Sequence, residues 1–232
     1  MTATIALAAA LALGAPASGA AETSAARAHH AVLCQHRHGH TLLRRGAVRV
    51  FEAAGPTGAD VYGCVKGAAN VVSLWEAGPE TPYGGAEKSG AVKQVAGRFV
   101  AAEALTDNQY EHSSSLTVFD LRDGASYELE GTVEPISQPS PPKATKLERF
   151  VLGGDGHTAA LYATYAPSAA TATGSPAGQQ SPTGQELVLL GFRHFEQVLA
   201  SGAPASIAPA SLAFNGAAVS WSENGVPRSA AG

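Results

Sequence analysis

Histidines are concentrated in the segment His29–His40, which holds five of the eight histidines of the chain together with Cys34. His36, His38 and His40 alternate with other residues, and alternate side chains of a β-strand share one face at a spacing of about 7 Å. Imidazoles at that spacing can share Zn²⁺ or Cu²⁺ if the strand curls slightly. The pattern therefore makes these three histidines a candidate metal site. The alternative is a frayed His-rich tract that binds metal without function.

The only cysteines are Cys34 and Cys64. A lone pair in an exported chain most often forms one structural disulfide, which here would close a loop of about thirty residues. A metal-binding or redox pair is the alternative, and the spacing is far from the C-x-x-C of redox motifs. We expect the disulfide.

Motifs of catalysis are missing from the sequence. There is no G-x-S-x-G elbow, no phosphate-binding loop and no H-E-x-x-H. His157 follows an Asp-Gly turn and is interpreted as a solvent-facing turn residue. No catalytic residue is predicted, and the interpretation leans away from an enzyme. The alternative is an extracytoplasmic carbohydrate-active enzyme with paired carboxylates, for which Glu103, Glu111 and Asp120 are candidates without special support.

Composition limits the class of partner. Hydrophobic residues make up 45% of the 232 residues, which suffices for a core, and charged residues make up 15%. The formal net charge of −4 argues against nucleic acid as a partner, because nucleic-acid binders carry a basic excess. It also gives no electrostatic reason to dock on anionic lipid.

The N-terminal residues 1–20 are typical of a signal peptide. Ile5–Leu13 is an apolar run too short for a membrane helix, and small residues Ser18 and Ala20 precede a plausible cleavage site. No other segment has the length of a membrane-spanning helix. We therefore expect a secreted, cell-surface or periplasmic protein without an integral membrane segment after cleavage.

Turn dipeptides indicate an all-β fold. Asp123-Gly124, Asp155-Gly156, Asn215-Gly216 and Asn224-Gly225 each separate two strand-like runs, and such pairs favour tight hairpins. One pattern, a strand followed by a Gly-containing turn and a second strand, recurs along the chain. It occurs in Val92–Leu105, Arg149–Tyr165 and Ser211–Glu223. A unit of about four strands in roughly 45 to 60 residues has the size of a propeller blade.

These units predict the domain organisation. A His-rich N-terminal segment, 21–40, precedes a single β-repeat domain, 41–232, with mobile loops rich in Pro, Ser and Gly at 135–142 and 166–184. About four short antiparallel blades are expected. Because the last repeat is short, we expect N-terminal strands of Gly46–Val65 to complete it by pairing with Ser211–Ala230. A β-sandwich is the alternative fold.

The residues Gly46–Phe51, Val61–Cys64, Leu116–Gly124 and Ser211–Ala230 carry a resemblance to known proteins. Their pattern resembles a largely uncharacterised group of exported bacterial β-propeller-like proteins with repeats of the WD40 or TolB kind. The resemblance implies a propeller-like scaffold and carries neither an activity nor catalytic residues, because this kind of fold hosts many functions.

The expected function is therefore an exported binding scaffold whose partner is an extracytoplasmic protein or a glycan. Exposed aromatic side chains could stack on such a ligand, although Trp221 is expected to be a core residue. The candidates are Trp75, Trp221, Tyr83, Tyr110 and Phe119. No cofactor is expected apart from the zinc or copper of the candidate histidine site.

Overall fold

The computed structural model describes residues 34, 39–54, 59–68, 70–77, 87–107, 111–135, 145–166 and 181–232. These residues form fifteen β-strands and a single turn of 3-10 helix, Pro209–Ser211. The strands are β1 His40–Arg45, β2 Val48–Ala54, β3 Ala59–Val65, β4 Val71–Ala77, β5 Glu87–Ala96, β6 Phe99–Asp107, β7 Glu111–Asp120, β8 Ser126–Pro135, β9 Thr145–Leu152, β10 Thr158–Thr164, β11 Gly184–Gly191, β12 Phe195–Gly202, β13 Ala213–Asn215, β14 Ala218–Glu223 and β15 Val226–Ala231. The all-β prediction is confirmed.

The strands form four antiparallel sheets in chain order. Sheet A contains β1 to β4, sheet B β5 to β8, sheet C β9 to β12 and sheet D β13 to β15. Within each sheet every strand pairs with the next one along the chain, as expected when short turns join antiparallel neighbours. Most of the loops predicted at 135–142 and 166–184 lie outside the described residues.

Two-residue turns join four pairs of strands, and two of the predicted dipeptides, Asn215-Gly216 and Asn224-Gly225, lie at such turns, whereas Asp123-Gly124 and Asp155-Gly156 lie in turns of five residues. Gly216 opens the two-residue turn between β13 and β14 with φ of 64°, and Gly46 and Gly97 have similar angles between β1 and β2 and between β5 and β6. A positive φ at the first central residue is the type II′ geometry. Asn224 and Gly225 have φ of 50° and 79°, the type I′ geometry, whose twist matches that of the flanking strands.

Sheets A and B pack face to face. Val50, Val61 and Trp75 of sheet A share a buried cluster with Val100 and Leu121 of sheet B and its β7–β8 turn. The Trp75 indole fits here because Gly90 has no side chain: a Cβ on Gly90 would lie 2.6 Å from the ring. The glycine in sheet B thus leaves the space that the tryptophan of sheet A fills.

The same packing continues along the array. Phe99 and Val118 of sheet B form a cluster with Leu152 of sheet C. Leu161 of sheet C forms another with Trp221 of sheet D. No cluster of buried residues joins sheet A to sheet D within the described part of the chain. In the part of the chain that the structure describes, the sheets therefore form an array that is open between sheets A and D, and none of the four sheets closes on itself.

The predicted completion of the last repeat by N-terminal strands is wrong. β2 and β3, which cover most of Gly46–Val65, pair with each other and with β1 and β4. They are central strands of their own sheet, so their hydrogen-bonding edges are already used and cannot serve sheet D. The outer face of sheet A is instead covered by the cluster of Cys34, Phe51 and Cys64.

Two tyrosines hold sheets B and C together. The Tyr127 hydroxyl donates to the Gly156 carbonyl at 2.8 Å, and the Tyr162 hydroxyl donates to the Leu129 carbonyl at 2.8 Å. Burial raises the pKa of both phenols, and it raises that of Tyr162 to about 12. The protonated hydroxyls are therefore part of the packing between the two sheets.

Alkaline titration should show that stability depends on these protonated phenols. Because the folded-state pKa of Tyr162 lies above its ordinary value of 10.0, its contribution to stability is complete below pH 10 and is lost as the pH rises towards 12. We expect two late-ionising phenols in the ultraviolet absorbance of the native protein, and one in Tyr162→Phe. That variant should lose about 1 kcal/mol of unfolding free energy for the missing hydrogen bond. Ordinary titration of every phenol in the native protein would contradict the expectation.

Candidate binding surface at the turn end

Seven hairpin turns lie at one end of the array, and we call this edge, with two residues of each adjoining strand, the turn end. Its turns are 46–47, 66–70, 97–98, 121–125, 153–157, 192–194 and 216–217. Contacts between turns hold the edge together. Asn70 Nδ2 donates to the Arg122 carbonyl at 3.0 Å between sheets A and B, and a Cβ on Gly97 would lie 3.1 Å from the Gly154 carbonyl oxygen of sheet C.

Positive charge is concentrated at the turn end. Seven basic residues lie there, namely Arg44, Arg45, Arg49, Lys66, Arg98, Arg122 and Arg193, against four acidic ones, Asp120, Asp123, Asp155 and Glu196. The chain as a whole has a formal net charge of −4, so its acidic excess lies elsewhere. A separation of charge between two ends of a molecule directs anionic ligands to the basic end.

A recess of about 450 Å³ opens on the outer face of sheet A. Arg44, Arg49 and Lys66 line it together with Cys34 and the Gly46–Val48 backbone region. Arg49 is held in place by Cys34, whose carbonyl accepts from the guanidinium at 3.0 Å. The recess is thus lined by one basic side chain that the backbone holds by a hydrogen bond and by two exposed basic side chains.

The predicted disulfide between Cys34 and Cys64 forms, with a Cα–Cα distance of 5.9 Å. Both cysteines are buried beside Phe51, over which the Arg49 guanidinium stacks at 4.6 Å. The disulfide therefore attaches Cys34, which precedes β1 in the chain, to β3 of sheet A. A disulfide of this kind is typical of an oxidising, extracytoplasmic compartment.

A second recess, of about 420 Å³, lies between sheets A and B and is lined by Arg45, Val95 and Arg98. Arg98 forms a bidentate ion pair with the buried Asp120, in which Nη2 donates to Oδ2 at 2.7 Å and Nε donates to Oδ1 at 2.8 Å. The hydrogen bond to Asp120 raises the pKa of the Arg98 guanidinium. Asp120 also accepts from the Arg122 amide at 2.9 Å. Asp120 thus neutralises Arg98 and shapes the turn, which makes it a structural carboxylate.

Sheet C contributes a histidine–carboxylate pair. Asp155 Oδ2 lies 3.0 Å from His157 Nδ1, and the His157 amide donates to Asp155 Oδ1 at 3.1 Å. Burial alone would raise the pKa of Asp155, but the hydrogen bonds from His157 outweigh it and lower that pKa. The His157 ring packs on Phe195 and is about one-third exposed. His157 is therefore a turn residue, but one held by two neighbours rather than free in solvent.

Beside this pair, Arg193 and His194 occupy the turn between β11 and β12 with φ of 63° and 60°. Consecutive residues other than glycine rarely adopt this left-handed conformation, and each costs of order 1 kcal/mol. Both side chains are exposed. The turn therefore presents a guanidinium and an imidazole to solvent in a fixed backbone geometry.

Of the candidate metal ligands, His36 and His38 lie outside the described residues, and His40 is exposed at the start of β1. Across the ranges that the structure describes, no group of three His, Cys, Asp or Glu side chains could hold a metal ion. Of the candidate carboxylates, Glu103 pairs with Lys93 at 2.6 Å. The side chain of Glu111 lies outside what the structure describes.

The candidate aromatic side chains that the structure describes do not form a platform at the surface. Trp75 and Trp221 are buried between sheets, so neither can stack on a ligand at the surface. The stacking role considered for Trp75 is therefore wrong, and the core role predicted for Trp221 is confirmed. Phe119 packs against the cluster of sheets A and B. Tyr83 and Tyr110 lie outside the described residues. Sequence reasoning missed the turn end itself, because its basic residues are scattered over five turns and become neighbours only in the folded array.

The chain matches no family model, no curated protein and no solved structure with which it was compared. Its class therefore follows from the fold: an all-β protein of four antiparallel sheets that pack in chain order, with one disulfide. Helices long and apolar enough to cross a membrane do not occur in the described ranges.

Proposed function

We propose that the protein is an exported, propeller-like binding scaffold that holds an acidic glycan at its turn end. The observation that carries the proposal is the excess of basic residues on this one edge of an otherwise acidic chain. The disulfide supports a location outside the cytoplasm, whether secreted, at the cell surface or periplasmic.

The propeller-like interpretation draws support from the arrangement of the sheets. Three of them are meanders of four consecutive strands, and the sheets pack face to face in chain order. Blades of propellers have this strand order and this packing. On such scaffolds the turns at one edge form the ligand surface, because they converge while the sheets fix their spacing.

Binding rather than catalysis is favoured by the state of the carboxylates. Asp120 is engaged by Arg98 and Glu103 by Lys93, so neither is a free acid or base. The pair Asp155 and His157 has no nucleophile placed against it by a described hydrogen bond. A carbohydrate-active enzyme remains a prediction that the glycan experiment below also addresses.

The test is an array of purified neutral and acidic glycans probed with the disulfide-bonded protein. We expect retention of acidic glycans, and a loss of affinity of about tenfold in Arg122→Gln/Arg193→Gln, because each guanidinium offers charge-assisted hydrogen bonds. The matched control is Lys146→Gln/Arg228→Gln, which makes the same change in net charge near the opposite strand ends.

Equal loss in both double variants would contradict a ligand surface at the turn end, since it would mean that only the net charge matters. Retention of neutral glycans alone would contradict the acidic ligand. Release of shortened glycans during incubation would replace the scaffold with the enzyme hypothesis.

A further inference from the structure

Two arginines face each other across sheet A. Arg44 on β1 and Arg49 on β2 are direct partners in the antiparallel register. Like charges directly opposite each other destabilise a sheet. Lys66 adds a third positive charge. Its backbone amide donates to the Ala47 carbonyl at 2.9 Å, and this hydrogen bond places Lys66 beside the β1–β2 turn. All three line the same recess.

Nothing in the described part of the chain neutralises this recess. None of Arg44, Arg49 and Lys66 forms an ion pair with a carboxylate there, and no acidic residue lines the recess. By contrast, Arg98, at the same end of the array, has its own aspartate. Because the two arginines repel each other and no carboxylate of the described residues offsets their charge, an anion bound between them would relieve the repulsion.

The three cations have different roles. The Arg49 guanidinium donates to Thr41 Oγ1 and to the carbonyls of Cys34 and Gly39, and it stacks on Phe51. It is therefore fixed and contributes charge rather than free donors. Arg44 and Lys66 make no side-chain hydrogen bond with a described residue, so their donors are available to a ligand.

We propose that the recess formed by Arg44, Arg49 and Lys66 binds the oxyanion group of a ligand, a phosphate or a sulfate. This inference rests on the proposed function, because it names the chemistry of the ligand held at the turn end. Among the described residues, the lining offers guanidinium and ammonium donors and contains neither carboxylate nor imidazole, a set of donors that suits an oxyanion and not a metal cation. A volume of about 450 Å³ accommodates such a group together with part of a sugar that carries it.

The experiment is calorimetric titration of the full disulfide-bonded protein with inorganic phosphate, with inorganic sulfate and with heparin oligosaccharides. We expect Arg44→Gln and Lys66→Gln each to weaken binding about tenfold, the effect of one lost charge-assisted hydrogen bond. Lys146→Gln is the matched control, because it removes the same charge from an exposed residue of β9 that lies outside the turn end. It should change the affinity less than about twofold at the same salt concentration.

The two sources of the oxyanion are distinguished by the ligands. Similar affinity for the free ions and for the oligosaccharides identifies a small-anion site, and affinity that grows with chain length identifies a glycan-borne group; both support the recess. An equal effect of Lys146→Gln and Arg44→Gln would overturn it, since binding would then follow the general potential. So would an absence of binding by the unsubstituted protein at millimolar ligand.

The circular dichroism of each variant reports folding, and the exposed Arg44 and Lys66 are not part of any buried cluster. Failure of the recess is separable from failure of the proposed function. If the free ions and Arg44→Gln give no effect while Arg122→Gln/Arg193→Gln still loses glycans, the scaffold stands and only the recess is rejected.

Discussion

Replacing Cys34 and Cys64 by alanine should lower the free energy of unfolding of sheet A by about 3 to 4 kcal/mol, the loop-entropy value for a closed loop of this length. The sequence separation of the two cysteines is 30 residues. The disulfide also holds the Cys34 carbonyl that accepts from Arg49, so the substitution removes a support of the recess as well. Alanine is the suitable replacement, because both sulfurs are buried and a hydroxyl there would lack a partner.

The two tryptophans allow the loss of stability to be measured separately at two positions in the array. Trp75 lies between sheets A and B, and Trp221 lies between sheets C and D. Variants that keep one tryptophan and carry phenylalanine at the other report on one seam each. Urea unfolding followed by fluorescence should show a large decrease in midpoint at Trp75 and a smaller one at Trp221.

Reductant is the control for this comparison. It should reproduce the shift in the parent protein and have no effect on Cys34→Ala/Cys64→Ala. An unchanged Trp75 midpoint would mean that the disulfide does not constrain the unfolded chain enough to matter. An identical decrease at both tryptophans would mean that the four sheets unfold as one unit.

A difference between the seams is expected from the open architecture. Each sheet packs only against its neighbours in chain order, as the buried clusters of the described residues show. In such arrays stability is close to a sum of unit and nearest-neighbour terms, and a local change decays along the chain. A closed ring would instead couple the first sheet to the last. The seam experiment therefore also measures how far the open array behaves as a one-dimensional chain of sheets.

Local features of this fold could be predicted from the sequence because they depend on neighbouring residues. Asn224-Gly225 specifies a type I′ turn through the conformational freedom of these two residues, and the turn forms. The disulfide followed from the presence of only two cysteines.

Features that depend on contacts between sheets could not be predicted in this way. Pairing of the N-terminal strands with the last repeat would cover an open edge, but β2 and β3 use both of their edges within sheet A. The fit of Trp75 against Gly90 joins two residues that no periodicity relates. The recess could not be predicted either, because Arg44 and Arg49 become a pair only through the register of β1 and β2. A basic cluster spread over several turns has no signature in a chain of net negative charge.

Trp221→Ala is expected to have the largest effect of any single substitution considered, because it empties the seam between sheets C and D. The indole is buried with Leu161, Leu187 and Ile207, all of which are fully buried. Truncation of a buried tryptophan to alanine costs about 3 to 5 kcal/mol through lost transfer energy and the cavity left behind. Sheet D has three strands and packs only on sheet C in the described residues, so most of this cost should fall on sheet D.

Trp221→Phe separates the ring from its polar atom. Trp221 Nε1 is buried without a hydrogen-bond acceptor among the described residues, so phenylalanine removes an unsatisfied donor while it keeps most of the packing. Its cost should stay below about 2 kcal/mol. Amide hydrogen exchange of β14 should accelerate strongly in Trp221→Ala and little in Trp221→Phe, while the fluorescence transition of the remaining Trp75 moves little. Equal exchange rates in both variants would show that the indole does not hold sheet D. A parallel shift at Trp75 would instead show that the first and last seams are thermodynamically coupled, although no buried cluster of the described residues joins them directly.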